Sequence, residues 1–387
     1  MFPLSRWESG DRITYFHPER GHALDVVYNK HGQIMRYEPG PGLTDELVAT
    51  LRERAEVAFA PDTGSEVRRD VLFSVPEVKG YWRHGDDWQI LPAPPQAPRP
   101  GFLLGEHPFV LEYRVRSSAN DAVVFTRRRR SWELHLLLSL VLRGSITHET
   151  DAKPHHWVLM GEPTAAGVHT AYVNEGYMVE GLIARADSFS NPEGLPELVV
   201  VPDEEYYARR GIDISEDALD APAGLDAFLN RFEDADPRTR EQLLRASYWL
   251  DAAYRVWDTS KSLSYIAAVN AVESLVPKRE HDPCPCCGLD RSPGPTARFH
   301  DFVETYAAAE GAADRKAIYR LRSAFVHGDG LHNFDVPRVW GALVPGDMKH
   351  RELHDAAFAV ASTAIRTWFL SAKRSPRCDS SPTGRPT

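Results

Sequence analysis

With 387 residues, a net charge of −10 at pH 7 and a pI of about 5.9, the chain has room for two or three domains and no global attraction for nucleic acid. Any such contact has to come from a local basic patch. Hydrophobic residues at 42% and aromatics at 10% exclude a disordered chain.

Three of the four cysteines, Cys284, Cys286 and Cys287, are crowded together, which argues against a disulfide framework and for a reducing compartment. The start, Met1 to Trp7, has no secretory pattern. The strongest apolar run, residues 136–142, is far too short to span a bilayer. A soluble cytoplasmic protein with no membrane contact is expected.

In chain order, residues 13–16, 23–28 and 34–37 are short strand-like runs separated by turn residues such as His31 and Gly32. Thr44 stands as an N-cap before Leu47, Leu51 and Ala55, and Pro61 ends the run, so 44–60 predicts a helix. Strand patterns return at 71–75 and 82–90, and the Pro-rich stretch 91–100 predicts a surface connector. Residues 109–115 alternate as a strand, 123–125 is expected to pair with it, and 132–143 is helical in length and composition. Short apolar runs at 157–159, 172–173, 178–183 and 198–201 complete a mixed α/β domain over 1–220, with the boundary in the acidic stretch 202–236.

Beyond it the character turns helical. Residues 239–258 carry a broad apolar face, 262–276 keeps Ile266, Val269, Val272 and Val276 in register, and Pro277 ends the second run. A Cys- and Pro-containing insert, 278–296, precedes a helical pair at 299–309 and 314–327 and a last helix at about 352–372. The tail, 374–387, has a disordered composition. Four or five helices with short links predict a bundle over 237–373. The expected fold class is therefore α+β and multidomain: a mixed α/β sheet domain, then an all-α bundle.

The most informative stretch is 318–328. Ile318, Leu321 and Phe325 repeat at helical steps, Asp314 can cap the start, and Gly328 follows as a C-terminal stop. Arg322 and His327 lie in this helix, about 140° apart on an ideal wheel. They can share a site only if the helix end opens near His327 or a second subunit supplies one of them.

Other signals are local. Arg127, Arg128, Arg129 and Arg130, followed by Trp132, form the concentrated basic run. Ahead of a helix it would offer phosphate contacts and a stacking ring to RNA; the competing reading is a solvated face. Cys284 and Cys287 make a C-x-x-C-G knuckle, and with His281 and His300 as the nearest further donors, and Cys286 as a spare, they predict a structural zinc site. His148, His155 and His156 have no metal-ligand rhythm and read as loop histidines. No phosphate-binding glycine loop or nucleophile elbow occurs, which removes nucleotide-hydrolase and serine-hydrolase readings.

The run from Tyr319 to Ser323, with Val326, His327 and Gly328 after it, resembles the arginine-x4-histidine signature of HEPN domains. The flanking sequence is most similar to the Apea-like branch of that superfamily. The resemblance covers 237–373 and leaves the first half unexplained. It implies an all-helical fold and a metal-independent endoribonuclease in which Arg322 and His327 from two subunits converge in a homodimer. It further implies bacterial defence against phage, with the N-terminal half detecting a trigger. No cofactor is needed for catalysis. The residue types suit the chemistry: His titrates near neutral pH and moves protons, and Arg is a fixed bidentate cation for the developing phosphoryl charge. Asn270 and Glu273, three apart on one helix, are placed to support Arg322, against a solvated polar face as the alternative. Ser323 stands where many active members carry a larger polar residue. A catalytically silent RNA-binding or protein-interaction module is the second reading.

Overall fold

The computed structural model describes residues 5–9, 11–17, 21–29, 34–45, 48–50, 53, 65–95, 97, 107–116, 122–143, 146–147, 158–163, 169–173, 185–208, 218–277, 286, 293–308, 314–336 and 345–371. The chain forms two compact units, one of residues 1–65 with 116–126 and one of 66–115 with 127–387.

The first unit holds a four-stranded antiparallel meander: β1 (Ser5–Ser9), β2 (Arg12–His17), β3 (Gly21–Tyr28) and β4 (Ile34–Pro39), in that order. Three of the four are the expected strands. β1, rich in polar residues, has no apolar alternation to announce it. The register sets Ile13 against Val26 and Tyr15 against Leu24. Buried Asp25 is held by Arg12 at 2.6 Å. Most of the expected helix at 44–60 lies outside the described residues.

The second unit opens with β5 (Ser65–Ser74), β6 (Trp82–His84), β7 (Trp88–Pro92) and β8 (His107–Arg116). The single strand expected at 82–90 is a β6–β7 hairpin, because Gly85, at φ 51°, turns the chain. Helix α1 (Ala122–Val141) corrects two expectations. Residues 123–125 are its first turn rather than a strand, and the four arginines lie inside it rather than ahead of it. A short apolar run is ambiguous by itself, and here it continues into a long helical stretch.

Two-residue strands β9 (Ile146–Thr147) and, further on, β12 (Arg185–Ala186) both pair with β5, giving a sheet of order β12-β5-β8-β7-β6 with β9 beside β5. Between them in sequence, β10 (Val158–Pro163) and β11 (His169–Val173) make a separate antiparallel pair. β13 (Val199–Val201) and β14 (Asp220–Pro222) pair in parallel around α2 (Asp203–Ala208), and α3 (Leu225–Asp234) follows.

The remaining helices are α4 (Pro237–Arg255), α5 (Lys261–Glu273), α6 (Pro295–Tyr306), α7 (Arg315–His327) and α8 (Pro345–Ser371). Each overlaps an expected helix, and α8 starts several residues earlier than periodicity suggested. Asp236 caps α4 by accepting from the N–H groups of Arg238 and Thr239, with Pro237 pre-set in the first turn. Helix α5 is central: it packs against α4, α7 and α8. Its small buried residues Ser264, Ala267, Ala268 and Ala271 admit close neighbours on several sides.

Strands thus fall mainly in the first half and helices in the second, an α+β chain. One hydrophobic core nevertheless runs through the second unit, from Leu72, Ile90 and Leu111 of the sheet, through Leu134, Leu137 and Leu138 of α1, to Leu243, Ala268 and Phe369 of the bundle. Ala221, Leu225, Phe228 and Phe232 belong to it as well. The core therefore crosses the stretch 202–236 where a boundary was expected, because the second half of α1, from Leu134 onward, is buried on every side and has to be covered all round. Buried His135 of α1 meets Asp251 of α4 at 2.9 Å, and Arg255 holds the second carboxylate oxygen at 2.9 Å. Burial opposes the Asp251 charge, but His135 and Arg255 prevail and hold the carboxyl below its usual range. Among the described residues no helix is long and apolar enough to cross a membrane.

Candidate functional site

The pairing of α5 with α7 builds the site. Tyr265 donates to the carbonyl of Ile318 at 2.9 Å, which fixes the start of α7 against α5. The next residue, Tyr319, donates its phenol proton to Glu273 Oε1 at 3.1 Å. Arg322 Nη2 then reaches Asn270 Oδ1 at 3.2 Å and forms a direct ion pair with Glu273. The guanidinium carbon lies 5.8 Å from the centre of the Tyr319 ring. Burial, and then the Glu273 charge, push the Tyr319 phenol up, so it stays a donor. Asn270 and Glu273 thus hold Arg322 as the sequence suggested, and Tyr319 is a member of the set that the sequence did not single out. Arg322 Nε is buried with no partner among the described residues, while the side chain as a whole keeps 20% of its surface exposed.

His327 is the last residue of α7 and is exposed. The helix stays closed through it: Gly328, at φ 79°, returns its N–H to Ala324 and Phe325. The route that opened the helix end near His327 is therefore excluded. Arg322 faces α5 while His327 faces away, about 140° round the helix. Ser323, between them, is half-buried. Asp314 precedes the helix, but its side chain makes no cap; it takes Lys349 Nζ at 3.1 Å instead.

The segment after α7 is tied down by a further set of polar groups. Asp335 accepts from the N–H groups of Lys261 and Ser262, both at 2.7 Å, and from Ser260 Oγ at 3.0 Å, capping α5 from far along the chain. Burial would raise the Asp335 pKa, and these bonds hold it low instead. His332 N–H donates to Ser262 Oγ at 2.7 Å. The Nδ1 atoms of His332 and His350 accept from the N–H groups of Phe334 at 3.3 Å and Asn333 at 3.1 Å. Ser264 gives its proton to the Ala253 carbonyl and so accepts from His354 Nε2 at 3.0 Å. The His332 ring lies 5.1 Å from His350 and 5.5 Å from His354. The spacing of His350 and His354, one helical turn apart, was a readable signal; Asp335 had none.

Among the described residues, no group of three His, Cys, Asp or Glu is placed to hold a metal ion. In the histidine cluster, two Nδ1 lone pairs already serve backbone donors, which puts the neutral-state protons on Nε2. Of the expected zinc ligands, His281, Cys284 and Cys287 lie outside the described residues, and Cys286 is exposed. His300 packs edge-on to Tyr319, with ring centres 6.2 Å apart.

The basic run is partly committed. Arg129 pairs with Glu133 at 2.8 Å and Arg130 with Glu233 at 3.0 Å, Arg128 is exposed, and the Arg127 side chain lies outside the described set. Trp132 is packed against the core rather than free for stacking. His148, His155 and His156, like the run 178–183, the tail 374–387 and nearly all of the insert 278–296, lie outside the described residues. No family model, curated protein or solved structure matches the chain.

Proposed function

We propose that the chain is a HEPN-like, metal-independent endoribonuclease built from two copies of the α4–α8 bundle, acting in bacterial defence against phage. The observation that carries this reading is the clamp on Arg322. A guanidinium held by a carboxylate and an amide from a neighbouring helix is pre-organised for a phosphoryl group and keeps donors to spare. Because α7 is closed through His327, Arg322 and His327 of one chain present different faces. A two-fold axis beside α7 brings His327 of one copy towards Arg322 of the other. Exposed Leu263, Val326 and Leu331 surround this end of the bundle, an apolar setting suited to burial by a second copy.

In the reaction, His327 takes the proton of a ribose 2′-hydroxyl as that oxygen attacks the adjacent phosphorus. The bond to the 5′-oxygen breaks, and the departing oxygen takes its proton from a water molecule, to which the His327 imidazolium returns the proton it removed. Arg322 neutralises the added charge on the phosphoryl oxygens. The products are a 2′,3′-cyclic phosphate and a 5′-hydroxyl. The test is digestion of cellular RNA in EDTA by wild type and by His327→Ala; cleavage surviving in the variant rejects the assignment.

The second reading is an RNA-binding or protein-interaction module without catalysis. It is favoured by the Glu273 ion pair, which already balances the Arg322 charge. RNA binding without cleavage by wild type, in the presence of the cell's own trigger, decides for it.

A further inference from the structure

The outward stripe of α4 is largely exposed and has an unusual composition. Residues 238, 241, 245, 248, 252 and 255 recur at three- and four-residue steps, with Trp249 beside Tyr248. Tyr248 and Trp249 are 41% and 36% exposed, and their rings meet edge to face at 6.0 Å. Arg238 and Arg245 are exposed and have no acidic partner among the described residues. Arg255, anchored at its Nε by Asp251, lies 5.9 Å from the Tyr248 ring centre. Glu241 is the one carboxylate on the stripe. Just past the helix, Lys261 lies over exposed Trp257, 2.9 Å from the ring centre.

The position matters as much as the composition. Arg245 Nη2 reaches the carbonyl of Ser274 at 3.5 Å, and the residue before Ser274 is Glu273, the partner of Arg322. The stripe therefore runs along the bundle to the end of α5 where Arg322 is clamped. Arg238 to Arg255 covers about 25 Å of helix, the span of a short oligonucleotide rather than one nucleotide.

We propose that this face of α4 binds a single strand of RNA, with Tyr248 and Trp249 stacking on bases and Arg238, Arg245 and Arg255 contacting phosphates. The strand then passes to Arg322 over the end of α5. Aromatic faces accept any base, and interleaved cations follow the backbone. In a chain of net charge −10, this local arrangement supplies what the overall balance denies. Protein interfaces also enrich Tyr, Trp and Arg, but three arginines against the single carboxylate of Glu241 along one stripe is a charge balance that favours a polyanion. The proposal rests on the reading that RNA is the ligand of the bundle.

The test is fluorescence anisotropy of full-length protein with a short, labelled, 2′-O-methyl oligouridylate, which cannot be cleaved. Tyr248→Ala with Trp249→Ala weakens binding on the order of tenfold or more, and Tyr248→Phe with Trp249→Phe restores it. Arg245→Ala lowers the slope of log affinity against log salt by about 0.7. Wild-type affinity in the double alanine variant overturns the proposal. So does equal affinity for the matching duplex, whose bases are not open to stacking. A double variant that turns a dimer into a monomer with unchanged RNA affinity assigns the face to a second copy instead. Binding through this face, with unmodified RNA left uncleaved in the presence of the cell's own trigger, removes the ribonuclease reading and keeps the track. Cleavage of unmodified RNA with an unchanged KM in the double variant removes the track and keeps the ribonuclease. Wild type that binds no RNA removes both.

Discussion

Arg322 on α7 and Glu273 on α5, 49 positions apart in sequence, form an ion pair that Asn270 completes at 3.2 Å. Both side chains are about one-fifth exposed, at 20% and 24%, so the pair lies between the surface and buried regimes. Its energetic share is set by the charged hydrogen bonds, about 1–2 kcal/mol. Its larger effect is on geometry.

Glu273→Gln keeps one acceptor for Arg322 and removes the balancing charge. Stability should fall by about 1 kcal/mol, and cleavage should drop more than tenfold as the guanidinium loses its fixed direction. Chemical denaturation beside single-turnover cleavage measures both. Full activity in this variant, with Arg322 still required, would show that the clamp does not position the catalytic cation.

Composite sites make complementation the natural test of the dimer. Arg322→Ala and His327→Ala proteins, each inactive alone, should regain a fraction of wild-type cleavage when mixed and allowed to exchange subunits. In the mixed dimer one chain brings His327 and the other brings Arg322. Absence of recovery, with exchange verified by mass spectrometry of tagged chains, would place both residues in one chain's site.

The histidine cluster predicts acid sensitivity of a definite sign. Burial pushes His354 down to about 3 and lowers His332 as well. Both are therefore neutral in the fold while the unfolded chain takes up protons below about 6.5. Stability is full above that value and is lost as pH falls towards about 3, with His354 alone costing about 2 kcal/mol at pH 5. Protonation at Nδ1 of His332 would also remove the acceptor used by Phe334. His354→Gln keeps a donor for Ser264 but does not titrate, so its melting temperature should fall less between pH 7 and pH 5 than that of wild type. Parallel pH curves for the two proteins would refute the assignment.

Gly328 lies at φ 79° with nothing within 4 Å of an added Cβ. Gly328→Ala therefore meets no steric neighbour and pays only the left-handed backbone penalty, about 1 kcal/mol. A melting temperature lowered by a few degrees, with the same unfolding slope in urea, is expected. An unchanged melting temperature would mean that the end of α7 can relax, and with it the placement of His327.

What could be read from the sequence alone was local. The stripe Ile318, Leu321 and Phe325 with Gly328 after it located α7, and periodicity located α4, α5, α6 and most of α8, because burial on one helical face leaves its mark every three or four residues. The alternating runs of the meander were legible for the same reason. Asn270 and Glu273 could be named as partners of Arg322 only once helices α5 and α7 were supposed to touch.

The tertiary structure decided what depends on which faces meet. It made residues 123–125 part of α1, since a short apolar triplet has no fixed conformation until its continuation is packed. It carried one core across the acidic stretch 202–236, since the second half of α1 needs cover on all sides. It brought Asp335 to the start of α5 and His332 to His350 and His354, contacts that no periodicity records. By keeping α7 closed through His327, it also turned Arg322 and His327 away from each other, because their separation on the wheel follows from helix geometry while their meeting requires a second surface.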